Sequence, residues 1–249
     1  MNCAIVSPEA LDAASPSPLS AGETHHLRDV LRVRAGEKLL LSDGAGRVRE
    51  AVVEEVSRKE IVFGSFGPLR LLPRTPADMT LFACIAKPAR MDWLLEKACE
   101  LGARRVVPVL SSRVVARQRP GERPDRWERI VAAALRQCGG GWGTELSPVA
   151  SWDEALAQAR SLGGPVFIGS LAPGAVPLGD ALAARAGSIA GGLPCGWFVG
   201  PEGDFSPEEL RSALALPCAV PVTLGPRVLR VETAAVCGLS AILATALRS

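Results

Sequence analysis

Hydrophobic spacing along the chain changes character near residue 79. Before that point, residues 37–42 and 47–54 form two strand-like apolar runs around Asp43-Gly44-Ala45-Gly46, a strong hairpin signal. Residues 60–66 predict a third strand, and residues 25–33 a short helix ahead of all three. The first seventy residues therefore read as mostly β. The stretch 67–78, with Pro68, Pro73 and Pro76, is the candidate linker. The resulting division is a β-rich domain over 1–70, a linker at 71–78 and a larger domain over 79–249.

From residue 79 onward, strands alternate with helices. Residues 79–86 predict a strand, and 90–101 a helix ending at Gly102, a natural C-terminal cap. Residues 105–110 predict a strand, and 123–138 a helix closed by Gly139-Gly140-Gly141. Ser151-Trp-Asp-Glu154 is a capping box that opens a helix to residue 160. Ser206-Pro-Glu-Glu209 is a second one, with proline at the first helical position. Short buried strands are expected at 165–169, 195–200 and 219–224, and a last helix over 232–248. Alternation of this kind implies a parallel α/β sheet covered by helices on both faces.

Ligands of such sheets bind beyond the carboxyl ends of the strands. Three of those ends share one composition: Ile168-Gly169-Ser170, Val199-Gly200-Pro201-Glu202-Gly203-Asp204 and Leu224-Gly225-Pro226-Arg227-Val228-Leu229-Arg230. Glycines there let backbone approach a ligand and offer bare amides and carbonyls, which suits an adenine edge and a ribose. Neither a P-loop, nor a Gly-x-Gly-x-x-Gly after a strand, nor a Gly-x-Ser-x-Gly elbow occurs.

Composition narrows the setting. The 249 residues are 48% hydrophobic, enough for a sizeable core, yet no apolar run is long enough to span a membrane. Met1-Asn-Cys-Ala4 lacks a basic region followed by an apolar run, so a cytoplasmic location is expected. Seven scattered cysteines without a Cys-x-x-Cys pair, and two adjacent histidines, give no metal site and fit a reducing compartment. Net charge is only +2, but nine arginines against three acids lie between Arg104 and Arg136. Guanidinium groups fork onto phosphate and stack on bases. This composition permits RNA without requiring it, since arginine replaces lysine throughout the chain.

The strings Val199-Gly-Pro-Glu-Gly-Asp-Phe-Ser206 with Glu209, Leu224-Gly-Pro-Arg-Val-Leu-Arg230 and Glu232-Thr-Ala234 resemble the signature of the RsmE family. Its members are 16S ribosomal RNA uridine-N3 methyltransferases of the SPOUT superfamily. The resemblance covers almost the whole chain. His25-His26-Leu-Arg-Asp-Val-Leu-Arg32 and Asp43-Gly44 resemble the family's PUA-like domain, and residues 91–102 and Gln137-Cys138-Gly139 its middle. It implies a parallel-sheet α/β domain with a C-terminal trefoil knot, preceded by the small β-rich PUA-like domain. It also implies a homodimer whose active sites draw on both subunits, no membrane and no metal. The apolar final helix fits burial against a knot and a partner, or equally an ordinary core helix. Two departures stand out. Asp204 replaces the family's second glycine, and Arg136 and Gly140 stand where glutamate and arginine are usual.

The resemblance further implies that S-adenosylmethionine lies against Ile168, Gly169, Val199, Gly200, Pro201 and Glu202. Gly203, Leu224, Gly225, Val228, Leu229 and Thr233 complete that set. Uridine N3 must lose its imide proton before it can attack a methyl group, so a cation near O2 or O4 would favour the developing anion. Arg227 and Arg230 are the candidates, with Glu232 beside them; alternatively, one arginine pairs with Glu202 or Glu232 as a brace. Glu232 and Thr233 open the last helix, where dipole complementation and capping come first and substrate contact second. His25, His26, Arg28, Arg32, Lys87, Arg90 and Arg113 are candidate RNA contacts or solvated charges. Two other readings are a different SPOUT activity, such as ribose methylation, and a non-catalytic RNA-binding protein. The long N-terminal β domain disfavours the first, and glycines in all three loops disfavour the second.

Overall fold

The computed structural model describes residues 2–12, 19–113, 118–139, 141–170, 172 and 174–248. Gly140, and Arg117 of the arginine-dense stretch, lie outside the described residues. The chain forms two compact units: Met1–Arg74 with Ala132–Gly143, and Thr75–Val131 with Thr144–Ser249. That residues 132–143 group with the first unit has no signature in the hydrophobic pattern.

The first unit begins with β1 (Asn2–Ile5), α1 (Pro8–Asp12) and α2 (Ala21–His25). A single π-helical turn, His26–Val30, follows directly. The helix expected over 25–33 thus starts earlier, where the Ser20 hydroxyl accepts the Glu23 amide at 3.2 Å and caps the N-terminus. Next come β2 (Lys38–Ser42), β3 (Arg47–Val56), β4 (Ile61–Phe66) and β5 (Arg70–Leu71). The order is β1-β2-β3-β4, with β5 also on β3. Asp43 holds the β2–β3 turn by accepting Ala45 N at 2.8 Å and Arg47 Nε at 2.7 Å. β1 was not expected: four residues carry too little alternation, and they become a strand by pairing in parallel with Lys38–Ser42. Leu27, Leu39 and Leu41 are fully buried in the core of this unit.

The second unit runs through β6 (Met79–Cys84), α3 (Pro88–Glu100), β7 (Arg105–Val109), the start of α4 (Asp125–Gln137), whose residues from Ala132 on belong to the first unit, β8 (Glu145–Leu146) and α5 (Trp152–Ser161). It continues through β9 (Val166–Gly169), β10 (Val176–Pro177), α6 (Leu178–Ala183), α7 (Ala186–Ala190) and β11 (Cys195–Val199). The chain ends in α8 (Pro207–Leu214), β12 (Ala219–Thr223) and α9 (Val231–Ala246). All strands of the sheet are parallel, in the order β10-β12-β9-β11-β6-β7-β8. Both predicted capping boxes form, at Ser151 and Ser206. Phe82 and Phe198 stack in the core with ring centroids 5.1 Å apart. Each buried aromatic of this kind stabilises by about 3 kcal/mol.

The order matters for the site. β12, β9 and β11 are immediate neighbours, and being parallel they deliver their carboxyl ends to the same edge. The three glycine-bearing segments sit at those ends.

Candidate active site

The three segments converge on one cavity of about 360 Å³, a size in the ordinary range for small-molecule sites. Gly169 and Ser170 contribute from the end of β9. Val199, Gly200, Pro201, Glu202, Gly203 and Asp204 contribute from the end of β11. Leu224, Gly225, Arg227, Val228 and Leu229 contribute from the end of β12. Trp197, Val231 and Ala234 complete the wall.

Most residues expected at a cofactor site therefore meet in one place, and two do not. Ile168 is fully buried in the core beneath the strand end, so the cavity receives its neighbour Gly169 instead. Thr233 is exposed and outside the wall, as are Arg230 and, in its half-buried position, Glu232. The capping expected of Glu232 and Thr233 does not occur. α9 starts at Val231, its N-cap is Arg230 in extended conformation, and no side chain caps it. The brace expected of Arg227 or Arg230 falls to another arginine: Arg90 pairs with Glu202 and also faces Glu232.

Backbone geometry explains two sequence choices. Gly225 has φ +120°, a region open to glycine alone, although a Cβ there would meet no atom within 4 Å. Gly225→Ala should therefore cost about 1–3 kcal/mol from backbone strain alone, read as a lower midpoint in urea unfolding; an unchanged midpoint would show that the loop relaxes freely. Asp204 occupies φ 60°, where a glycine would sit without strain. Its Oδ1 accepts Phe205 N at 2.8 Å, a local bond that offsets part of the cost.

The β11 loop is held from two sides. Arg90, on the first turn of α3, grips the Glu202 carboxylate. Arg113 Nη1 donates to the Gly203 carbonyl at 2.6 Å. The segment carrying Arg113 is anchored in turn by Glu209, which is 6% exposed. This carboxylate accepts Ser112 N at 2.6 Å, Ser206 N at 2.9 Å and the Ser111 hydroxyl at 3.3 Å. Glu209→Ala would leave these donors without an acceptor, at about 1–3 kcal/mol for each one buried. The expected result is a drop in thermal midpoint larger than that of any exposed Glu→Ala control, and equal midpoints would refute the anchoring role.

Burial beside Glu209 and Asp204 pushes the Cys84 thiol well above its ordinary value, desolvation being the main cause. It therefore stays protonated and unreactive.

In the first unit, His25 Nδ1 lies 2.6 Å from Asp29. Arg28 also pairs with Asp29 and holds Asp29 down to about 2, chiefly by hydrogen bonding. His26 opens the π-helical turn, and Arg32, at φ 54°, is exposed just beyond it. Lys87 is the exposed N-cap residue of α3 in the second unit. Arg136, at one of the two departures, pairs with the buried Glu23, whose other oxygen accepts Ile5 N at 3.3 Å. The basic residue is thus matched by an acid on α2.

Residues 73–243 match the RNA methyltransferase domain, and residues 19–64 match the RNA methyltransferase PUA domain. The ribosomal RNA small subunit methyltransferase E of Mycobacterium bovis is 31% identical over 237 residues, covering 93% of this chain and 87% of that protein. The Neisseria gonorrhoeae ribosomal RNA small subunit methyltransferase E, solved bound to S-adenosyl methionine, is 30% identical with a TM-score of 0.80, covering 97% of this chain and 96% of that one. A Legionella pneumophila protein solved in complex with its bound cofactor SAM is 26% identical with a TM-score of 0.84, covering 98% and 97%. With the family's domain spanning most of its length and such relatives over nearly all of it, the chain belongs to the ribosomal RNA small subunit methyltransferase E family of RNA methyltransferases.

Proposed function

We propose that the protein is an S-adenosylmethionine-dependent methyltransferase acting on N3 of a uridine in 16S ribosomal RNA of the small subunit, as a cytoplasmic homodimer. The observation that carries this reading is the convergence of three glycine-bearing strand ends on a single cavity. The residues present fit the cofactor. Backbone around Gly200, Gly203 and Gly225 offers amides and carbonyls without bulk, and Trp197, Val199 and Leu224 give an apolar wall. The carboxylates of Glu202 and Asp204 suit a ligand that carries a sulfonium and an ammonium. Bound there, S-adenosylmethionine would supply an electrophilic methyl group. The same reading includes the trefoil knot, threaded through the segments joining β9, β11 and β12.

The chain's own residues then have definable work. Arg227 stands in the cavity wall and Arg230 just outside it, exposed at the N-cap of α9. Both can hold negative charge on uridine O2 or O4 as N3 loses its proton, the type of preorganised stabilisation that lowers such barriers most. The segment bearing His25, His26, Arg28 and Arg32 belongs to the PUA-matched residues and would contact phosphate or base. The dimer is supported by apolar side chains left in water: Val228, in the cavity wall, is 81% exposed, and Leu247 is 67% exposed.

The test uses unmodified small subunits, purified protein and S-adenosylmethionine labelled on its methyl group. Digestion to nucleosides should place the label in 3-methyluridine. Label in a ribose methyl group or another base would replace this reading with a different RNA methyltransferase activity. Failure to bind S-adenosylmethionine in a calorimeter would favour a non-catalytic RNA-binding protein.

A further inference from the structure

We infer that Arg90 is a positioning residue shared by two carboxylates, Glu202 and Glu232, and that it changes partner when the cavity fills. This inference rests on reading the cavity as the site of S-adenosylmethionine.

Arg90 is one cation between two acids, Glu202 in the cavity wall and Glu232 outside it. Its Nη1 is paired with Glu202 in the cavity wall. Its Nε lies 3.8 Å from Glu232 Oε1, the outer limit of an ion pair. Glu232 sits in the first turn of α9 with its side chain 13% exposed, and its Oε2 is buried without a hydrogen-bond partner among the described residues. An ionised oxygen withdrawn from water and left without a donor is unfavourable, and structures rarely keep one without a use. A source of donors close by is the guanidinium already facing it, which has five N–H groups and only part of its fork engaged.

The arrangement has a direct consequence. In this arrangement Arg90 neutralises Glu202, and Glu232 is incompletely satisfied. A ligand carrying positive charge competes with Arg90 for Glu202. Arg90 can yield at little cost, because turning its fork toward Glu232 satisfies the vacant oxygen. The exchange needs only side-chain rotation, since all three residues already lie within reach of one another. Filling the cavity would then tighten Arg90 onto the first turn of α9, immediately after Arg230 and the wall segment from Arg227 to Leu229. A ligand moves such an equilibrium only by the difference in its affinity for the two states, and here Glu202 supplies that difference. Arg90 in this role acts through Glu202 and Glu232 and has no need to touch RNA.

The experiment is a double-mutant cycle read by calorimetric binding of S-adenosylmethionine to the purified protein. Glu232 lies outside the cavity wall, so a fixed structural role for it would leave this affinity alone. If Arg90 is shared, Glu232→Gln removes its alternative partner and holds it on Glu202. Binding should weaken roughly three- to tenfold, within the range for residues coupled in one charge network. Arg90→Gln should abolish that dependence, so that the double variant binds as tightly as Arg90→Gln alone. Glu232→Asp serves as a second variant: it keeps the charge and should fall between wild type and Glu232→Gln. Melting curves followed by circular dichroism show that each variant is folded. Wild-type affinity in Glu232→Gln, or additive effects in the double variant, would overturn the sharing of Arg90 while leaving the cofactor site standing. A wild-type protein that does not bind S-adenosylmethionine would remove both.

Discussion

Arg230→Ala is expected to lower kcat by roughly two to three orders of magnitude, the loss that follows removal of one charge-stabilising donor from a transition state. Its affinity for S-adenosylmethionine should stay within about twofold of wild type, as for exposed substitutions away from a binding wall. The split follows from placement. Arg230 is exposed, caps α9 by its backbone alone and does not line the cavity, whereas Leu229 and Val231 on either side of it do. Removing its guanidinium leaves the cavity intact and deletes the charge that the proposed function sets against the target base. Arg227 offers the contrast: it lines the cavity, so Arg227→Ala should weaken cofactor binding as well as turnover. Methyl transfer measured at saturating cofactor, with calorimetry on the same samples, separates the two. Wild-type kcat in Arg230→Ala would show that the charge on the uridine is held elsewhere, and partial recovery in Arg230→Lys would show that charge alone suffices.

The parts of the fold that could be read from sequence are those where local signals agree. Ser151 and Ser206 each begin a capping box, and both boxes form as written. Asp43-Gly44 announces the turn between β2 and β3, and the bonds that Asp43 accepts from Ala45 and Arg47 within it are local. What escaped was held by partners far away in sequence. β1 exists through Leu39, Leu40 and Leu41 in β2. β5, inside the stretch expected to be a linker, exists through Arg47 and Val48 in β3. β10 is two residues long and pairs with Val222 and Thr223. Segments this short have no period of their own to detect.

The site divides along the same line. Its glycines are visible because glycine at a strand end has few uses other than freeing backbone. Trp197 and Ala234 were missed, since an aromatic in a buried strand and an alanine in an apolar helix look like core, which in part they are. Charge partners were missed more completely. Arg90 reaches Glu202 across 112 positions, and Arg113 reaches Gly203 across 90. From sequence, Arg90 and Arg113 read as RNA contacts or solvated charges. In the folded chain these two hold the loop itself. Arg227 and Arg230, close in sequence to Glu232, were the natural candidates for a brace, yet the helix geometry turns Arg230 outward and leaves the role to α3.

Gly238→Ala should be among the most destabilising single-methyl changes available in the second unit. A Cβ on Gly238 would lie 2.2 Å from Cε2 and 2.4 Å from Nε1 of Trp197, far inside contact distance. The indole is confined on its other sides and could retreat toward the cavity whose wall it forms. It is fully buried, its Nε1 donates to the Ala234 carbonyl at 3.1 Å, and a Cβ built on Gly169, on another side, would lie 3.1 Å from Cη2. Either α9 lifts from β11 or the indole swings and breaks its hydrogen bond. Overpacking of this kind costs about 1–3 kcal/mol and at times more, and here a lost buried hydrogen bond of about 1 kcal/mol adds to it. In a chain of this size, that total corresponds to a fall in Tm of roughly 5–12 °C. Gly187→Ala in α7 is the control, because a Cβ there meets nothing within 4 Å; it should be neutral or stabilise by up to about 1 kcal/mol, as Gly→Ala in a helix commonly does. Trp197 also forms part of the cavity wall, so any Gly238→Ala protein that remains folded should bind S-adenosylmethionine more weakly. Equal melting temperatures for the two alanine variants would mean that α9 does not press on the indole, and that the wall of the site is looser than its packing indicates.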